Sequence, residues 1–129
     1  MSKPEISILL VDDDDIIRSC ICAYLEDEGF SVHSAVSGEE ALDIIAGINP
    51  TVCISDMRLT GMNGECFIRQ AHLICPATGY LLHTGLDYPL SDELRSIGMK
   101  PDDVLQKPIY ELSLITKKIN AIVMAGSGV

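Results

Sequence analysis

A chain of 129 residues has the size of one ordinary domain and can bury a two- or three-layer core. With 47% apolar and 22% charged residues it reads as globular rather than disordered; no apolar run approaches the roughly 20 residues of a membrane helix, and the opening MSKPE lacks a signal-peptide core, so a cytoplasmic protein is expected. A net charge of −10 argues against direct nucleic-acid binding and suits either a divalent-cation site or plain solubility.

In chain order, Glu5 to Val11 (EISILLV) is a near-continuous apolar run, as in a central parallel strand. It stops at four acids, Asp12 to Asp15. Helix 1 is predicted over about Asp15–Glu28, with Ile17, Cys20, Ile21, Tyr24 and Leu25 as its stripe, Asp14 as N-cap and Gly29 as stop. Asp15 suits the positive end of that helix. Phe30 to Val36 alternates as a strand. Ser37 and Glu40 form a capping box for helix 2, whose buried face is Ala41, Leu42, Ile44, Ile45 and Ile48. Asn49 and Pro50 stop it.

Strand 3 is read at Thr51 to Ser55, and helix 3 at about Gly64–Leu73 with Cys66, Phe67, Ile68 and Ala71 inward. Strand 4 is read at Thr78 to His83, followed by Thr84, Gly85 and Leu86. Helix 4 runs from the Ser91 cap over Asp92–Ile97 to Gly98. Strand 5 is short, about Asp103 to Leu105. Helix 5 spans about Tyr110–Met124, with Leu112, Ile115, Ile119, Ile122 and Val123 inward, and residues 125–129 form a flexible tail or the start of a linker. Five β-α units in succession imply an α/β fold: a parallel sheet, helices on both faces, doubly wound because crossovers are right-handed. No second domain is visible.

The five cysteines, Cys20, Cys22, Cys53, Cys66 and Cys75, are odd in number and contain no C-x-x-C. They are read as buried small hydrophobes in a reducing compartment, not as a zinc site. His33, His72 and His83 are read as surface or strand-packed residues, and Glu26, Asp27 and Glu28 as a solvated helix end.

The polar residues at the ends of the strands form a set. Strand 1 leads to Asp12 and Asp13, strand 3 to Asp56, strand 4 to Thr84 and strand 5 to Lys107. Ligands of open α/β sheets bind just beyond the carboxyl ends of the strands. Each residue alone could be a solvated turn. Three carboxylates together repel one another unless a cation joins them, and an all-oxygen, incomplete cage suits Mg²⁺. A carboxylate can also attack phosphorus to give an aspartyl phosphate, with Lys107 offsetting phosphoryl charge and Thr84 bonding a phosphate oxygen.

LLVDDDDIIR at 9–18, ISDMRLTGMNG at 54–64, LLHTG at 81–85 and LQKP at 105–108 together resemble the receiver domain of two-component response regulators, over nearly the whole chain. The resemblance implies a single receiver domain over 1–129 (core about 5–124), a three-layer (βα)5 fold and a five-stranded parallel sheet in the order 2-1-3-4-5. It implies Asp56 as phosphoacceptor, and Asp12, Asp13, Asp56 and the Arg58 backbone carbonyl around Mg²⁺. Thr84 would be the switch hydroxyl, Lys107 the phosphate-pairing cation, and Lys107–Pro108 a cis bond. The implied partners are a sensor histidine kinase or histidine phosphotransfer protein and a downstream protein or output domain. The chain would be a monomer or weak homodimer, and not an enzyme beyond its own phosphorylation and dephosphorylation. Thr60, Asn63 and Gly85 depart from the family's usual proline, aspartate and alanine. Val104 stands where receivers usually carry Tyr or Phe, so the aromatic readout is absent. Two other readings remain: a degenerate receiver acting as an interaction module, and an aspartyl-nucleophile phosphohydrolase. The latter would need an acid two residues after Asp56, where Arg58 stands.

Overall fold

The computed structural model describes residues 6–85, 89–107 and 112–127. The elements are β1 (Ser7–Val11), α1 (Asp15–Asp27), β2 (Ser31–Ala35), α2 (Gly38–Ile48), β3 (Val52–Asp56), α3 (Gly64–Ile74), β4 (Gly79–Thr84), α4 (Asp92–Ser96), a 3-10 turn (Pro101–Asp103), β5 (Val104–Gln106) and α5 (Ser113–Ser127). The strands form one parallel sheet in the order β2-β1-β3-β4-β5, as expected.

Because side chains alternate across a strand, the central strands feed two separate cores. Leu9, Val11, Cys53, Tyr80 and Leu82 pack with Ala41 and Ile45 of α2, Phe67 and Ile68 of α3, and Leu94 of α4. Ile8, Leu10, Val52, Ile54 and Leu81 face the other way, against Ile21 and Leu25 of α1 and Ile115 and Ile119 of α5. Burial on both faces explains why these strands read as continuous apolar runs.

The helices begin where side chains satisfy their free N–H groups. Asp14 accepts from the N–H groups of Ile16 and Ile17, both at 3.0 Å. Asn63 accepts from Cys66 at 2.8 Å and Ser91 from Leu94 at 3.2 Å. Ser37 accepts from Glu40 at 3.1 Å, but the Glu40 side chain makes no return bond, so only half of the predicted box forms. Asn49 ends α2 in the left-handed region, φ 47°.

Several boundaries differ from expectation. Asp56 is the last residue of β3 rather than the first beyond it, Val36 lies outside β2, and α4 is only five residues long. Only Cys53 and Cys75 are buried. Cys20 is exposed, so it leaves the predicted stripe of α1, and Cys22 and Cys66 are half-buried. Helical spacing marks a side of the helix, not the width of the strip that its neighbours cover. The predicted start of helix 5 at Tyr110 and the Lys107–Pro108 bond lie outside the described residues.

Candidate functional site

The register of the sheet brings the strand ends level. Val11 pairs with Ser55, Asp56 with His83, and Thr84 with Gln106. Asp12, Asp56, Thr84 and Lys107 therefore meet at one edge, with Asp13 beside them. One carboxylate oxygen from each of Asp12, Asp13 and Asp56 falls within 4.8 Å of the others.

Asp56 is buried. Its Oδ1 accepts the Arg58 N–H at 3.2 Å and its Oδ2 accepts the Lys107 ammonium at 2.8 Å. Asp12 is also buried. Its Oδ1 accepts the Asp14 N–H at 2.9 Å, while Oδ2 has no hydrogen-bond partner and lies 4.0 Å from Lys107 Nζ. Asp13 is exposed and accepts the Thr60 hydroxyl at 3.3 Å. Thr84 is fully buried, and its carbonyl accepts the Lys107 N–H at 2.8 Å, which sets the base of the lysine. The Arg58 side chain is exposed.

Burial is the main cause that raises the pKa of Asp12. The Asp14 N–H and Lys107 oppose it, and the neighbouring carboxylates of Asp56 and Asp13 add to it. Among the described residues, the Lys107 ammonium stands against three carboxylates, which leaves the edge short of positive charge. The Asp12 oxygen without a partner, facing that deficit, fits a hard cation such as Mg²⁺.

Three features escaped the sequence reading. Arg18 donates from Nη1 to the Asp12 carbonyl at 2.8 Å and pairs with Asp15 through Nη2, which braces the acidic turn from behind. Gly64 packs so closely that a Cβ there would fall on the Asp56 carbonyl oxygen. His83, read as a surface or strand-packed residue, is buried with Nε2 unpartnered. No spacing rule marks any of these contacts.

His83 gives a pH prediction. Burial, reinforced by Lys107, lowers its pKa from 6.5 to about 4. A depressed folded-state value means the unfolded chain takes the proton first as pH falls. Its contribution is therefore complete above about pH 6.5 and lost downward through about pH 4. His83→Leu should remove a loss on the order of 3 kcal/mol between pH 7 and pH 4, read by urea denaturation at each pH. Equal losses in both proteins would contradict this.

A doubly wound parallel sheet carrying an acidic triad and a lysine at its carboxyl edge defines a narrow class of proteins. The model of the response regulator receiver domain family matches residues 8–120. The chain belongs to this family and is a receiver domain of the two-component response-regulator type. It is 31% identical over 121 residues to the cell cycle response regulator CtrA of Brucella ovis, covering 94% of this chain and 51% of that protein. The chain thus spans about half the length of the curated relatives it matches. Among solved structures it resembles the chemotaxis response regulator CheY4 of Vibrio cholerae, at 26% identity and TM-score 0.75 over 92% of this chain and 99% of the other. It also shares its fold with a CheY-like receiver domain protein of Methanospirillum hungatei, at 24% identity and TM-score 0.81, covering 97% and 98% of the two chains.

Proposed function

We propose that this domain is a phosphoryl-accepting switch in which Asp56 receives the phosphoryl group of a phosphohistidine carried by a sensor histidine kinase or a histidine phosphotransfer protein. The observation that carries this reading is the buried Asp56 carboxylate, held by Lys107 at 2.8 Å within a cluster of oxygens from Asp12 and Asp13. An Asp56 oxygen attacks phosphorus, the P–N bond breaks, and the donor imidazole, already protonated on its other ring nitrogen, takes the electron pair and leaves neutral. Lys107 is placed to follow the new phosphoryl charge, and buried Thr84 lies at the same edge to bond one of its oxygens. Water later cleaves the acyl phosphate and releases inorganic phosphate, so the domain turns over only its own modification. Asp12, Asp13 and Asp56, with the Arg58 carbonyl, would hold Mg²⁺, which when bound supplies positive charge to the phosphoryl oxygens.

An apolar groove of about 580 Å³ opens beside this edge, lined by Ile17, Ile21 and Leu112, with Ile16 82% exposed at its rim. A helix that presents a phosphohistidine has an apolar seat there. Among the described residues no helix is long and apolar enough to cross a membrane, and we place the domain in the cytoplasm, where such a kinase offers its histidine. A downstream protein or output domain would then read the modified state.

The test is intact-mass spectrometry after incubation with acetyl phosphate, with and without Mg²⁺, beside Asp56→Asn. One phosphoryl adduct that requires both Mg²⁺ and Asp56 is expected. Because hydrolysis can hide an adduct, the same samples are titrated with beryllofluoride and followed by NMR. No adduct and an unmoved spectrum would replace this reading with that of a phosphorylation-independent interaction module.

A further inference from the structure

Two of the three clustered carboxylates come from one turn. Asp12 and Asp13 follow β1 directly, and α1 starts at Asp15. Like charges this close repel, so a loose turn would let the acids splay apart. Backbone groups hold part of it. The Asp12 N–H donates to the Ala35 carbonyl at 3.2 Å, and the Asp14 N–H donates to Asp12 Oδ1 at 2.9 Å. Two side chains from outside the cluster hold the rest. Arg18 Nη1 donates to the Asp12 carbonyl at 2.8 Å, and the Thr60 hydroxyl donates to Asp13 Oδ2 at 3.3 Å.

The two contacts secure different parts of the turn. Arg18 secures the backbone. Its side chain is 16% exposed, and the second arm of the guanidinium pairs with Asp15 in the first turn of α1. A planar fork bonds a carbonyl and a carboxylate at once in fixed geometry, which a point-like ammonium does not. With its carbonyl tied, the Asp12 peptide cannot turn freely, and its carboxylate stays within the cluster. Thr60 secures a side chain. It lies in the loop between β3 and α3, 47 positions along the chain from Asp13, and so ties the acidic turn to the loop that follows Asp56.

We infer that Arg18 and Thr60 are positioning residues for a divalent cation: Arg18 locks the Asp12 backbone and Thr60 locks the Asp13 carboxylate, so the oxygens are gathered before the ion arrives. This inference rests on the reading of Asp12, Asp13 and Asp56 as the Mg²⁺ site. Groups that hydrogen-bond to metal-ligating residues set their orientation, and losing one typically costs about 10–100-fold in metal affinity. Charge alone predicts the reverse for Arg18. The guanidinium is positive and sits against the acidic turn, so removing it should draw a cation in more tightly. The sign of the change therefore separates positioning from electrostatics.

The test is isothermal titration calorimetry of the full chain with magnesium chloride and with calcium chloride at fixed ionic strength. An amide NMR spectrum of each variant shows that it is folded. Arg18→Met should weaken Mg²⁺ binding by about tenfold. Arg18→Lys keeps the charge but loses the fork, and should stay weaker than wild type by about threefold or more. Thr60→Val should weaken binding by about threefold, the worth of one neutral hydrogen bond, and Thr60→Ser should restore it. Mg²⁺ demands stricter geometry than Ca²⁺, so Arg18→Met and Thr60→Val should lose more Mg²⁺ affinity than Ca²⁺ affinity. A general loss of stability would lower both alike. If Arg18→Met does not fold, Arg18→Lys and Thr60→Val decide. Mg²⁺ binding that is unchanged or tightened in the Arg18 variants or in Thr60→Val would overturn the inference, as would equal losses for the two ions. A wild-type chain that takes up no Mg²⁺ overturns the metal-site reading and the inference with it, so the two failures are distinguishable.

Discussion

Gly64→Ala is expected to destabilise the domain by about 3 kcal/mol. The new Cβ would collide with the Asp56 carbonyl oxygen and lie 2.9 Å from both Leu82 Cδ1 and Met57 Cα. Two of these three neighbours are backbone atoms and cannot swing aside. The Gly64 N–H also donates to the Met57 carbonyl at 2.8 Å, so α3 cannot back away without breaking that bond. Alanine's better helix propensity, about 1 kcal/mol, does not offset the clash. A fall in melting temperature of about 10 °C should accompany it. The displaced Asp56 backbone should also slow phosphorylation by acetyl phosphate. Gly47→Ala is the control. Gly47 lies within α2, its added Cβ would meet nothing within 4 Å, and the change should be neutral or stabilising by up to about 1 kcal/mol. Similar melting temperatures for the two variants would refute the steric argument.

Lys107→Met should have the second large effect, and one that depends on metal. The ammonium is the cation that faces both buried carboxylates, 2.8 Å from Asp56 and 4.0 Å from Asp12. Removing it takes away the ammonium that both buried acids face. Breaking a buried pair typically costs about 3–5 kcal/mol. Lys107 is 21% exposed, so solvent screens part of this, and about 2 kcal/mol is the expected loss in Mg²⁺-free buffer. Saturating Mg²⁺ should recover much of it, because an ion that binds only the folded acidic cluster stabilises by mass action. Urea denaturation with EDTA and with Mg²⁺ reads both quantities. A destabilisation that is the same in the two buffers would show that Lys107 acts through packing rather than charge. Phosphorylation should slow as well, since the cation that follows the phosphoryl charge is gone.

Of these two positions, Lys107 was legible in the sequence and the close approach at Gly64 was not. The strands were legible because each central one is buried on both faces and must be apolar throughout, which leaves an unbroken run such as Ile8 to Val11. The acids were legible because a polar residue directly after such a run stands at the carboxyl edge of the sheet. Asp12, Asp13, Asp56, Thr84 and Lys107 could thus be assembled from strand ends alone, and the parallel register brought them level. Cap residues such as Asp14 and Ser91 were equally local, because their bonds close within two or three positions.

The remaining features depend on distances between segments far apart in the chain. Gly64 looks like a turn glycine until α3 is laid against β3. Cys20 looks like part of an apolar stripe until the strip that α1 covers is known to be narrower. Lys118 sits on a helix face like any other lysine until the turn at Asp102 and Asp103 is folded beneath it. Periodicity encodes which side of an element faces inward, since that is a property of the element's own geometry. How closely two elements approach, and which side chain each one meets, follows from their packing together, and no local pattern records it.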